Sequence, residues 1–196
     1  MAGPDLHHRL TGALSRSGSA SSDFDLNGDG ARPAVRLTPA AVLIGVRVDA
    51  ETVILTKRSP RLKHHPGQIA FPGGKQDATD ATLTDAALRE AHEEVGLPRS
   101  MVHVLGTLPG HQTVTGFMVT PVLGIVNDAF DPVPEAGEVA EIFEVPLSHL
   151  ADSANYRVEG RRWQGRKRQY YAVPYGPYYI WGATARILRA LAERLS

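Results

Sequence analysis

Cysteine is absent from this sequence, and so is any excess of charge of one sign. The first absence excludes disulfides, thiolate zinc sites and a cysteine nucleophile. The second follows from Lys+Arg and Asp+Glu counts of 21 each. It removes the electrostatic basis for general nucleic-acid binding. No apolar run is long enough to span a bilayer. The opening stretch, MAGPDLHHRLTGALSRSGSASSDFD, lacks the apolar region of a secretory signal. These absences predict a cytoplasmic protein, monomer or homodimer, whose partner is a small molecule and neither nucleic acid nor membrane. Apolar residues make up 42% of the 196 positions, enough for one sizeable core.

Residues 1–33 read as a flexible arm. Residues 5–16 have the spacing of a short amphipathic helix, and 17–33 are small, polar and glycine-rich. The folded domain is expected over 34–196. AAVLIGVRV (40–48) and TVILTKR (52–58) are rich in β-branched residues and read as paired strands. QIAFPGG (68–74) reads as a short strand running into a loop. Strands are also predicted at 102–108, 116–126 and 141–147, and a hairpin at 155–175. Helices are predicted over 82–95 and 180–195. This alternation lacks a regular βαβ repeat, so the fold class is a mixed α/β sandwich and not a doubly wound sheet.

The helix over 82–95 ends in LREAHEEVGL (88–97). Residues three and four apart share a helical face, so Glu90, Glu93 and Glu94 form one acidic patch. Like charges at that spacing cost about 0.2–0.5 kcal/mol. Anions near a helix C-terminus cost about 0.3–1 kcal/mol more. Two readings fit: a solvated acidic face, or a site for a hard cation such as Mg²⁺ or Mn²⁺, which prefers oxygen ligands. The upstream FPGGK (71–75) favours the second, because paired glycines let backbone approach a ligand closely.

In register, Arg89, Glu90, Ala91, Glu93, Glu94, Gly96 and Leu97 resemble the second half of the Nudix hydrolase box, R-E-(aliphatic)-x-E-E-x-G-(aliphatic). Two departures lie upstream. Gly74 is one residue further from Arg89 than in the general box, and the early glutamate position is Ala81, beside Asp80. ILTKRSPRLKHHPGQIAFPGG (54–74) is similar to the signature of the coenzyme A pyrophosphatase subgroup. Leu55, Thr56, Arg58, Ser59, Gly67, Phe71, Pro72, Gly73 and Gly74 match that signature. Ile54 replaces a leucine and Lys63 an arginine.

The resemblance implies a Nudix fold, an α/β/α sandwich around a mixed sheet. It also implies metal-dependent hydrolysis of coenzyme A or its derivatives to 3′,5′-ADP and 4′-phosphopantetheine. The same chemistry on ADP-ribose, a dinucleotide or an oxidised nucleotide is the alternative, as is an inactive nucleotide-binding module. Implied ligands for Mg²⁺ or Mn²⁺ are Glu90, Glu93, Glu94 and the Gly74 carbonyl. Arg89 is expected to orient a carboxylate. Glu138, in the acidic stretch EAGEVAE (135–141), is the expected general base. Arg58, Lys63, Gly73 and Gly74 are the expected substrate contacts, with Lys63 meeting the 3′-phosphate of coenzyme A. GRRWQGRKR (160–168) and Trp181 are read as structural, the former as a solvated hairpin tip or dimer contact.

Overall fold

One strand with apolar residues on both faces sets the architecture. In β2 (Thr38–Arg47), Ala40, Ile44 and Val46 enter one core, while Ala41 and Leu43 enter another. Successive strand residues face opposite sides, so such a strand must be covered by a layer on each. A computed structural model, describing residues 4–28, 36–48, 50–126, 130–163 and 165–196, has this form.

β2 runs parallel to β8 (Phe117–Val126), from Thr38↔Phe117 to Arg47↔Val126. β3 (Thr52–Arg58) pairs with β2 only at Val46↔Val53 and Arg47↔Thr52. Most of β3 runs antiparallel to β9 (Val139–Pro146). The two β-branched runs are therefore strands, but they pair mainly with partners distant in sequence. β1 (Ser21–Ser22), β4 (Ile69–Ala70), β5 (Gly73–Lys75), β6 (Val102–Thr107) and β7 (His111–Gln112) complete a nine-stranded mixed sheet. The glycine pair expected in a loop lies in β5, paired with β2 at Ala41↔Gly74 and Val42↔Gly73.

Helix α2 (Leu83–Val95) covers one face of the sheet. Helices α1 (Pro4–Ser15), α3 (Leu147–Ala151) and α4 (Ala183–Leu195) bury their apolar stripes on the other. A separate antiparallel hairpin, β10 (Arg157–Trp163) and β11 (Arg166–Ala172), precedes α4. This is the α/β sandwich of the expected class. Among the described residues no helix is long and apolar enough to cross a membrane.

The flexible arm expected over residues 1–33 needs correction where the structure describes it. Leu6, Leu10 and Ala13 of α1 are buried in the main core. Ser21 and Ser22 form β1, parallel to β7. A buried chain of hydrogen bonds pins them: Ser21 Oγ to His111 Nδ1 at 2.8 Å, and His111 Nε2 to Asp23 Oδ1 at 3.0 Å. The polar composition that reads as disorder instead supplies these partners. Residues 29–35, where the arm was expected to give way to the domain, lie outside the described residues. Leu10→Ala should lower unfolding stability by about 3 kcal/mol, as for a fully buried leucine. An unchanged urea midpoint would mean that α1 does not belong to the core.

Candidate active site

Local sequence fixes α2 at both ends. Thr82 and Asp85 form a reciprocal capping box, and Gly96 (φ 73°) closes the helix in the left-handed conformation. Its buried face carries Ala86, Ala87 and Ala91. Such small side chains let the helix lie close to the sheet. The close approach brings Glu90 and Glu94 against β5. A Cβ on Gly73 would strike the Ala41 carbonyl and the Val42 Cα, and one on Gly74 would strike the Glu90 carboxylate. Gly73 is thus demanded by space, whereas at Gly74 a side chain would displace the Glu90 carboxylate from its place.

Glu94 is only 5% exposed. Its Oε2 accepts the Gly73 N–H at 3.2 Å. Burial pushes its carboxyl up to about 7, against the opposing pull of the Gly73 hydrogen bond and of Arg58. Burial also raises Glu90. Glu138 adds to both shifts by charge repulsion. Its loop docks on the end of α2, whose last carbonyls have no partner within the helix. Val133 N–H donates to Val95 O at 3.1 Å, and Glu135 N–H to Glu94 O at 3.0 Å. The Glu135 carboxylate then turns the chain by accepting the N–H groups of Gly137 and Glu138.

Arg89 ties the acids together. It donates from Nε and Nη2 to Asp80, and from Nη1 to Glu90 Oε1 and Glu93 Oε2, both at 3.0 Å. Nη2 also donates to the Lys75 carbonyl at 3.1 Å. Asp80, passed over by sequence reasoning, is the fixed anchor of this fork. Its side chain is 5% exposed, and the Arg89 hydrogen bond holds its carboxyl below the usual range. Its position beside the vacant early-acid position was the available signal. Glu93 is more than half exposed and turned toward Arg89.

Among the described residues, no three acidic or histidine side chains are arranged as they stand to hold a metal ion. Arg89 Nη1 and the Gly73 N–H engage Glu90 and Glu94 instead. The donor chemistry nonetheless suits a hard divalent cation. Two half-desolvated carboxylates repel each other and a third, beside a glycine whose missing side chain leaves room. Glu90, Glu93 and Glu94 are the candidate carboxylate ligands, with the Gly74 carbonyl adjacent and the Glu138 charge felt by Glu90 and Glu94.

The signature loop joins this cluster to a cavity of about 370 Å³. Ser59 N–H donates to the Glu138 carbonyl at 2.7 Å, and the Ser59 hydroxyl accepts the Arg61 N–H. Arg58 N–H donates to Gln68 O, and the Gly67 N–H to Arg58 O. Arg58 lines the cavity, together with Val42 of β2 and Phe71 from the turn just before the glycine pair. Lys63 is exposed and contributes nothing to the cavity wall.

The NUDIX domain family matches residues 36–163. The chain is 45% identical over 157 residues to the uncharacterized Nudix hydrolase NudL of Enterobacter sp. (strain 638), covering 80% of this chain and 82% of that protein. It is 46% identical over 157 residues to the protein of the same description from Citrobacter koseri, with the same coverage. In fold it is similar to the NUDIX domain of Shewanella oneidensis NrtR in complex with ADP ribose. That match has a TM-score of 0.52 and 16% identity, and covers 89% of this chain and 97% of that one. A box helix carrying this carboxylate cluster, matched across two thirds of the sequence, makes the chain a member of the Nudix family, a hydrolase of nucleoside diphosphate derivatives.

Proposed function

We propose that this Nudix hydrolase cleaves the diphosphate of coenzyme A or its derivatives, releasing 3′,5′-ADP and 4′-phosphopantetheine. One observation carries the choice of substrate. The residues of the coenzyme A pyrophosphatase signature are those that connect the acid loop to the cavity: Ser59 holds the Glu138 backbone, and Arg58 lines the wall. A diphosphate lying across Gly73 and Gly74 would meet carboxylates on one side and the Arg58 guanidinium on the other.

Nudix hydrolases need divalent metal ions. Glu90, Glu93, Glu94 and the Gly74 carbonyl would hold Mg²⁺ or Mn²⁺, which leaves the Glu138 carboxylate for proton transfer. When bound, such an ion neutralises phosphate oxygens and lowers the pKa of water. Arg89 fixes the carboxylate rotamers from behind and does not touch substrate. Glu138 accepts a proton as water attacks one phosphorus; the bond from that phosphorus to the bridging oxygen breaks, and the other phosphate leaves with that oxygen. Gly73 donates to Glu94 and holds it toward the substrate.

The test is product identification with purified protein and Mg²⁺ or Mn²⁺. Coenzyme A should be turned over with the highest kcat/KM among coenzyme A, ADP-ribose, a dinucleotide and an oxidised nucleotide. Chelation should abolish the activity. Preference for any other compound in the set would overturn the coenzyme A reading.

A further inference from the structure

Two residues of the signature loop turn left-handed, and only one of them is glycine. Gly67 has φ 70° and His65 has φ 53°. A Cβ on Gly67 would meet nothing from the rest of the chain within 4 Å. Glycine therefore stands at 67 to satisfy the backbone and not the space around it. The same left-handed backbone is unfavourable at 65 for any residue with a Cβ. Pro66 adds to the conflict, because the residue before a proline is pushed toward extended backbone. Glycine at 65 would remove most of this strain, yet the chain keeps an imidazole there.

Among the described residues one other non-glycine has a positive φ, Glu51 at 47°. It lies in the turn between β2 and β3, and the fold uses its side chain: Glu51 Oε2 accepts Arg9 Nη1 at 3.0 Å. At His65 the fold uses only the backbone, whose carbonyl accepts the Gln68 N–H at 3.2 Å. Its ring has no hydrogen-bond, ion-pair or ring partner among the described residues. Strained backbone held at a non-glycine residue is a mark of ligand sites, and His65 lines the cavity. The loop end that carries it is fastened to Arg58. Arg58 N–H donates to Gln68 O at 2.9 Å, and the Gly67 N–H donates to Arg58 O at 3.2 Å. Arg58 lines the same cavity, and its charge is felt by Glu94. An imidazole carries an N–H donor in both of its protonation states. The acceptor that suits this donor beside a guanidinium is an anionic oxygen.

We propose that His65 is a substrate-binding residue, its imidazole donating to a phosphate oxygen of the nucleoside diphosphate beside Arg58. The left-handed turn at 65 is kept because it aims the ring. This holds for any nucleoside diphosphate derivative that the hydrolase takes and does not depend on the coenzyme A reading.

His65→Gly separates binding from folding. Glycine adopts the left-handed backbone freely, so the full-length variant should unfold at the same urea concentration as the wild type or a higher one. Its KM should nonetheless rise about tenfold with kcat little changed, as for a charge-assisted hydrogen bond made equally in the ground and transition states. The substrate is whichever of coenzyme A, ADP-ribose, a dinucleotide and an oxidised nucleotide the wild type turns over best. His64→Ala, at an exposed neighbour absent from the cavity wall, should keep the wild-type KM. An unchanged KM in His65→Gly would overturn the proposal, and so would an equal rise in His64→Ala. A raised KM accompanied by a lower urea midpoint would also overturn it, because the histidine would then serve the loop. A best substrate other than coenzyme A would remove the earlier reading and leave this test intact.

Discussion

Glu94→Gln should lower kcat on the order of 10³-fold, a loss typical of removing a preorganised charged group from an active site. The same variant should be more stable than the wild type when both are metal-free at pH 8. The glutamine is isosteric and its Oε1 can still accept the Gly73 N–H, so the fold is preserved. The stability gain comes from removing a charge held where water is excluded. The carboxyl sits near pH 7 in the folded chain, above the ordinary 4.5. Between those values the folded state binds more protons than the unfolded state. Stability is therefore fully present below about pH 4.5, falls as pH rises, and is lost above about pH 7. The gap corresponds to at most about 3 kcal/mol. Urea unfolding in a chelator should show wild type and variant converging at low pH and diverging above neutrality. Wild-type stability that rises between pH 5 and 8 relative to the variant would refute the burial argument. Retained turnover would remove Glu94 from the reaction.

That opposition between stability and activity is what the sequence disclosed. Three glutamates at the unfavourable end of a helix were legible because their spacing and the dipole are properties of a single element. The same holds for the Thr82 cap, the Gly96 stop and the strands of the sheet. Relations between distant elements were not legible. Nothing local pairs β2 with β8 in preference to β3, because the partner of a strand is chosen by the whole sheet. Nothing in the composition of residues 17–28 discloses that Ser21, Asp23 and Asn27 find partners at His111 and Gln169. The basic stretch 160–168 read as solvated because its two rows of charge are separated only once the hairpin register is known. Lys63, named from motif position, is exposed and absent from the cavity wall for a related reason: a motif gives the order of residues, and side-chain direction follows from packing.

Arg89→Lys should cost about 10² in kcat with little change in KM. Arginine here makes a planar fork that serves Asp80, Glu90, Glu93 and the Lys75 carbonyl at once. Lysine keeps the charge but cannot reproduce that geometry. Glu90 would then be free to swing, and misplacement of a reacting group by about 1 Å is enough for a loss of this size. Substrate binding should survive, because the cavity is walled by other residues. A raised KM with unchanged kcat would instead mean that Arg89 contacts substrate. Asp80 sharpens the test. Its carboxylate meets Arg89 and the Asp77 N–H, and asparagine can keep the second contact, so Asp80→Asn should lower kcat in the wild-type background and have little further effect in Arg89→Lys. Non-additivity of that kind marks two residues serving one function. Fully additive losses would mean that Asp80 reaches the site by another route, and the fork would no longer explain why an acid stands beside the empty early position of the box.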